Sequence, residues 1–178
     1  HLLHSMKIGI NKAELLQTLQ KRFPKHLLDF VVENGIENHI FNRRGQFVSL
    51  ASFVPHVPKN WVKRTDNLIT ELKKDGLKVR SLKEYFADAG IPHTLEADLR
   101  RFLEEEGLLV QLDPQFAYHG DVFQQAVSKL RSQTGAEFDV GAAKDVLELS
   151  RKYMIPFLEK LDSMGLTKRV ENKRIWKS

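Results

Sequence analysis

The chain contains no cysteine, which excludes disulfides, thiolate nucleophiles and cysteine-ligated zinc sites and fits a reducing compartment. No stretch approaches the ~20 consecutive apolar residues a membrane span needs, and no secretory pattern opens the sequence. Neither Gly-x-x-x-x-Gly-Lys-Ser/Thr nor Gly-x-Gly-x-x-Gly occurs, so no loop cradles a nucleotide. A Gly-x-Ser-x-Gly elbow is missing too. His1, His4, His26, His39, His56, His93 and His119 form no helical His-x-x-x-His pair with a carboxylate and read as structural or surface residues. The carboxylates lie on helix exteriors beside basic neighbours and not as a perturbed pair suited to acid–base work. The expectation is therefore no enzyme, no metal and no cofactor within this chain.

What is present is globular in type: 178 residues, 42% of them hydrophobic and 29% charged. That length suits one ordinary domain or two or three small ones. The net charge of +5 would mean little if spread evenly. Its distribution has to decide.

Three segments share one plan, a helical apolar pattern that reaches Gly and then a hairpin. They are Leu27 to Ile36, Leu99 to Leu108 and Phe157 to Leu166. Gly35, Gly107 and Gly165 each stand where a helix C-terminus needs a left-handed residue. The expected hairpins pair Ile36–Phe41 with Gln46–Leu50, Leu108–Leu112 with Gln115–His119, and Leu166–Val170 with Lys173–Trp176, across turn-forming junctions. A short helix is expected before each, at Lys12–Gln20, Ser81–Ala89 and Val140–Leu149, and longer opening helices at Trp61–Lys74 and Asp121–Ser132. Helix, helix, turn, helix, hairpin is the order of a winged helix-turn-helix. The fold expected is mainly α with small β-hairpins (α+β), a tandem array of three such domains. Breakers at Val54-Pro55-His56-Val57-Pro58 and Tyr118-His119-Gly120-Asp121 set the boundaries at 1–56, 57–119 and 120–178. Only His1 to Met6 precede the first short helix, so the chain reads as the C-terminal piece of something longer.

Residues 1–56 carry a net +3, residues 57–119 −1 and residues 120–178 +3. The third helix of the middle module holds Glu96, Asp98, Glu104, Glu105 and Glu106, too acidic a face to approach phosphates, and reads as a solvated spacer. In the last module Ser150 is the expected N-cap, followed by Arg151, Lys152 and Tyr153. Cations in a first turn work against the helix dipole, so an anionic ligand explains them better than local stability does. The last hairpin adds Lys168, Arg169, Lys173, Arg174 and Lys177 against Glu171. Helix start and wing together make a two-pronged phosphate grip. In the first module Arg43-Arg44-Gly45 with Lys21, Arg22 and Lys25 reads as an ordinary charged turn. Pro156 implies either a kinked helix or one that begins later than Ser150. Phe157 reads as core, Trp176 as closing the hairpin on the core, and Tyr153 as the aromatic placed to stack on an unpaired base.

Ser150 to Arg169, SRKYMIPFLEKLDSMGLTKR, closely resembles the last winged helix of the bacterial selenocysteine-specific elongation factors, the SelB family. Phe138 to Leu149 is similar to that family's second helix, and His4 to Leu16 to the opening of an earlier winged helix. The resemblance implies a soluble, cytoplasmic, monomeric translation factor arm whose winged helices bind the selenocysteine-insertion (SECIS) hairpin of an mRNA. Selenocysteyl-tRNA would then be delivered at UGA. GTP, the ribosome and the tRNA belong to the remainder of the full-length protein. The positions the resemblance carries over are Arg151, Lys152, Lys168, Arg169 and Arg174. Tyr153 and Lys173 join them from the charge and stacking argument. Two departures stand out: Lys168 where the family often pairs arginines, and Glu171-Asn172 at a wing turn that often contains Gly. The alternatives from composition and fold alone are a DNA-binding transcriptional regulator and a winged-helix interaction scaffold.

Overall fold

A computed structural model describes residues 5–177, and the expected lack of a full-length opening helix in the first module falls, for residues 1–4, outside them. The described residues form eight helices and eight short strands, in two compact units, 1–61 and 62–178. The architecture is α+β, with every sheet antiparallel and small.

In the first unit β1 (Ile10–Asn11) leads into α1 (Lys12–Leu19), α2 (Lys25–Glu37) and a hairpin of β2 (Phe41–Arg44) and β3 (Phe47–Leu50). Asn11 caps α1 by accepting from the Ala13 amide at 2.9 Å. The sheet order β1-β3-β2 puts β3 in the centre, with Ile10 opposite Val48 and Arg43 opposite Val48 on its other side. Met6, Ile8, Leu28, Val32 and Val48 are its buried core. The opposite face of α2 leaves Leu27, Phe30 and Val31 exposed.

Gly35 does not end α2. It lies inside the helix and is buried, and a Cβ there would meet the Phe41 ring at 2.4 Å. The glycine is a packing residue that admits an aromatic side chain. The left-handed position at the helix end belongs to His39 (φ 57), whose neighbour Ile40 donates to the Gly35 carbonyl at 2.8 Å. As a result the first strand starts at Phe41 and not at Ile36.

The second unit contains α3 (Val62–Asp75), α4 (Leu82–Asp88), α5 (His93–Glu105), β4 (Leu109–Gln111) and β5 (Ala117–His119). These are followed by α6 (Gly120–Gln133), β6 (Glu137–Asp139), α7 (Val140–Leu147), α8 (Arg151–Ser163), β7 (Thr167–Val170) and β8 (Lys173–Trp176). Ser81 and Glu84 form a reciprocal capping box on α4, a device that contributes about 1 kcal/mol. At the ends of α5 and α8, Gly107 (φ 71) and Gly165 (φ 72) do adopt the left-handed conformation. The last sheet has the order β6-β8-β7, the same plan as β1-β3-β2. Phe138, expected at the start of a helix, lies in β6 instead.

The helices of this unit bury one continuous set of aromatic and leucine side chains, among them Tyr85, Leu99, Leu103, Tyr118, Phe123 and Phe157. Phe157 of α8 packs against Phe123 of α6 at 5.4 Å and Tyr118 of β5 at 6.3 Å between ring centroids. Between β5 and α6 the chain passes so close to itself that a Cβ on Gly120 would lie 1.9 Å from the Gly107 carbonyl oxygen. The junction there is therefore tight, and Lys73 of α3 pairs with Asp121 of α6 across it at 2.7 Å.

Candidate nucleic-acid interface

Helix α8 begins at Arg151 and runs unbroken through Pro156, so the later start that the proline allowed is excluded. Ser150 holds the N-cap position without a side-chain hydrogen bond; its carbonyl accepts from the Tyr153 and Met154 amides at 3.1 and 3.0 Å. Arg151, the first helical residue, is exposed. Lys152 is exposed as well, with its ammonium 4.6 Å from the centroid of Phe116 and 5.1 Å from that of Tyr153. Such contacts hold a cation in place by the ring quadrupole while leaving its outer side to an anion.

Tyr153 is committed elsewhere. Its hydroxyl donates to the Val79 carbonyl at 2.8 Å, and its ring meets Phe116 edge-on at 5.3 Å. The expected base-stacking role gives way to a positioning one, because both the polar tip and one face of the ring are already used. Val79 and Phe116 belong to the middle segment of the unit, so Tyr153 pins the start of α8 to it.

The wing cations divide by face. Directly opposed residues of an antiparallel pair share a face. Lys168 lies opposite Ile175, and Val170 opposite Lys173, whereas Arg169 lies opposite Arg174. Lys168 and Lys173 therefore stand on the outer face, and Arg169 and Arg174 on the inner one. Arg174 is only 5% exposed, and its Nε donates to Asp162 of α8 at 3.0 Å. The other Asp162 oxygen accepts from the Thr167 hydroxyl at 2.5 Å. This pair ties wing to helix and removes Arg174 from the surface expected to meet RNA: its charge is matched by a half-buried carboxylate. Arg169 is exposed and folds back so that its Nε donates to the Glu171 carbonyl at 3.2 Å. Lys173 is paired with Glu137 of β6, a contact that raises its pKa and keeps it charged. Of the expected set, Arg151, Lys168 and Arg169 are exposed cations with no carboxylate partner among the described contacts, while Lys152, also exposed, lies close enough to Glu84 to help Ser81 hold that carboxylate below its usual pKa.

Trp176 closes the sheet as expected: it packs on Phe138 at 5.2 Å, and its indole N–H donates to the Thr134 hydroxyl at 3.1 Å. Sequence reasoning missed two residues of this assembly, Asp162 and Phe116. Asp162 had a signal, since it is a carboxylate on the apolar stripe Phe157, Leu158 and Leu161. Phe116 had none, because its relation to Lys152 is made by tertiary packing.

Residues 130–176, which span α7, α8 and the whole of the last sheet, match the family model described as "Elongation factor SelB, winged helix". The last module is thus similar to a SelB winged helix. The chain is 25% identical over 176 residues to a selenocysteine-specific elongation factor of Desulfomicrobium baculatum, a match covering 98% of this chain and 28% of the relative. It thus spans little more than a quarter of the length of that SelB relative. Among solved structures, a bacterial selenocysteine-specific elongation factor superposes with a TM-score of 0.58 at 22% identity, over 96% of this chain and 26% of the other. The mRNA-binding domain of E. coli SelB, solved in complex with SECIS RNA, gives a TM-score of 0.49 at 18% identity, over 66% of this chain and 99% of the other. No helix among the described residues is long and apolar enough to cross a membrane, and among them no cluster of His, Asp and Glu could hold a metal ion.

Proposed function

We propose that this chain is the RNA-binding arm of a selenocysteine-specific elongation factor, which recognises the SECIS hairpin so that selenocysteyl-tRNA is delivered at UGA. The arm comprises three winged helices in tandem along the chain, 1–56, 57–119 and 120–178, and it binds rather than catalyses. It acts as a monomer in the cytoplasm; GTP, ribosome and tRNA are engaged by the rest of the protein. One observation carries this reading. The segment that matches the SelB model presents exposed cations at both the helix start and the wing.

Arg151 and Lys152 from the helix, with Lys168 and Arg169 from the wing, straddle the phosphates of the upper stem, and one or more of them reaches a looped-out base. Duplex RNA hides its base edges in a deep, narrow groove, so sequence is read at loops and bulges while phosphates supply affinity. Arg174 and Asp162 hold wing and helix at a fixed separation, and Tyr153 fixes the helix start. Four phosphate contacts predict a log–log salt slope of roughly −3 to −4.

The test is a fluorescence-anisotropy titration with a selenoprotein-mRNA hairpin of the same organism, a stem-matched hairpin with a scrambled loop, and a DNA duplex, each at two salt concentrations. Tight, loop-dependent binding is the expected result. Equal, weak binding to all three would leave a merely basic surface. Preference for the DNA duplex would turn the reading to a transcriptional regulator.

A further inference from the structure

The first unit reproduces the geometry of the proposed RNA-reading module. Its sheet order is the same, and its wing has the same register: Arg43 stands opposite Val48 as Arg169 stands opposite Arg174. Arg43 donates from Nε to the Gly45 carbonyl at 3.2 Å, as Arg169 does to the Glu171 carbonyl at 3.2 Å. Both turn residues are left-handed, Gly45 at φ 58 and Glu171 at φ 53. The helix ends match as well, His39 with Gly165. Counting back from them, Lys25 and His26 open the 13-residue α2 as Arg151 and Lys152 open the 13-residue α8.

The charge follows the geometry. Lys21, Arg22, Lys25, Arg43 and Arg44 are all exposed. The carboxylate beside this wing, Glu33, is already paired with Lys12, which holds its pKa below the usual range, with a smaller contribution from Arg43. Among the described residues neither wing arginine forms a salt bridge, and Glu33 reaches Arg43 only as a weaker, longer-range attraction. The middle segment offers no such arrangement: α5 opens with His93 and Thr94, and its exposed end carries Glu104, Glu105 and Glu106.

We propose that the first unit carries a second RNA site, in which Arg43 and Arg44 on the wing, with Lys25, Lys21 and Arg22, grip the phosphate backbone of an RNA helix. The proposal rests on the reading of the chain as an RNA-binding arm. Long, exposed, mobile side chains suit phosphates; reading a base edge needs a fixed bidentate geometry. The site adds affinity and orientation without sequence preference.

The test uses the full chain, the cognate hairpin, a plain RNA duplex and a DNA duplex of the same sequence. The triple variant K25E/R43E/R44E should lose at least about tenfold in affinity for the RNA duplex, lower the salt slope by about 2 to 3, and keep its preference for the cognate over the scrambled loop. The variant R151E/K168E should do the opposite, losing loop preference and keeping duplex binding. Unchanged duplex affinity in K25E/R43E/R44E overturns the second site, and so does an equal loss on DNA and RNA. Loop preference that survives R151E/K168E overturns the function proposed for the last module and leaves the duplex comparison readable. The neutral variant K25Q/R43Q/R44Q, checked by thermal melting, should show the same loss in smaller degree; a full loss of duplex binding without that graded response marks misfolding of the reversal variant and overturns the site.

Discussion

Val48 and Arg174 occupy the same register position in two wings of one geometry, and both are buried. Asp162 sits three residues before the left-handed Gly165, and Ile36 three before His39. The second unit closes wing on helix with the Arg174–Asp162 ion pair backed by Thr167, whereas the first has the apolar residues Val48 and Ile36 at the corresponding positions. The lesson is that wing position follows strand register and the left-handed turn, which the two units share, while the residues beneath the wing differ in kind. A buried ion pair gains little over a hydrophobic one of similar shape, yet removing one partner is costly because a charge is left stranded. The exposed cations are what the two units share.

The sharpest break of this comparison is Arg174→Ala, which strands Asp162. A loss of about 3 kcal/mol is expected in thermal or denaturant unfolding. Arg174→Val combined with Asp162→Ile, the residues at the corresponding positions of the first unit, should recover most of it. If the single variant melts like the parent, the ion pair does not hold the wing.

Next in size is Arg151→Ala, expected to weaken hairpin binding about 5- to 30-fold, or 1–2 kcal/mol, with Arg100→Ala within about twofold. Anisotropy titrations at one fixed salt concentration compare them. Equal losses would remove the site from the last module.

A smaller effect follows from the wing turn. Glu171 is a non-glycine residue at φ 53, where Gly45 serves in the first unit. Glu171→Gly should stabilise the unit by about 0.5–1 kcal/mol by relieving the left-handed strain. It also removes a carboxylate beside the proposed RNA, so hairpin affinity should rise about two- to threefold. A drop in melting temperature would show that the Glu171 side chain contributes more than its backbone costs.

The smallest expected effect is a pH dependence confined to the second unit. His119 is buried, and its Nδ1 accepts from the Asp121 amide at 3.1 Å, so the ring is neutral in the fold. Burial pushes its pKa below 6.5, opposed in part by Asp121. The folded protein therefore binds its proton less readily than the unfolded chain does. Stability is full above pH 6.5 and declines as pH falls from there toward the depressed folded pKa. Melting temperatures between pH 7.5 and 5 should fall less steeply for His119→Asn, which can still cap α6, than for the parent. Parallel curves would assign the acid sensitivity elsewhere.

Much of this arrangement is legible in the residues. Apolar spacing and capping residues place all eight described helices to within a few positions, because helix periodicity extends over several turns. The last two hairpin strands, β7 and β8, fall where expected, on either side of Glu171-Asn172. What escapes is short or non-local. Strands β1 and β6, two and three residues long, carry no readable alternation and exist because a neighbouring wing offers them an edge. Gly35 looks like a helix stop, and only the approach of the Phe41 ring shows it to be a packing residue. Among the site residues, Arg169 and Arg174 look equivalent to Lys168 and Lys173 in a run of cations. Strand alternation already implies two faces, but not which face is covered.

By itself, then, the sequence determines the order of the elements and the allotment of charge: basic first and last segments around an acidic middle. These are local or additive properties, written in spacing and composition. The tertiary structure alone decides which cations remain in water. Arg174 lies inward because Asp162 and Thr167 meet it there, and Tyr153 is withdrawn because Val79 and Phe116, more than thirty residues upstream, come to lie beside it. A buried charge or hydroxyl is stable only where a partner arrives from another part of the chain, and no local pattern records that arrival.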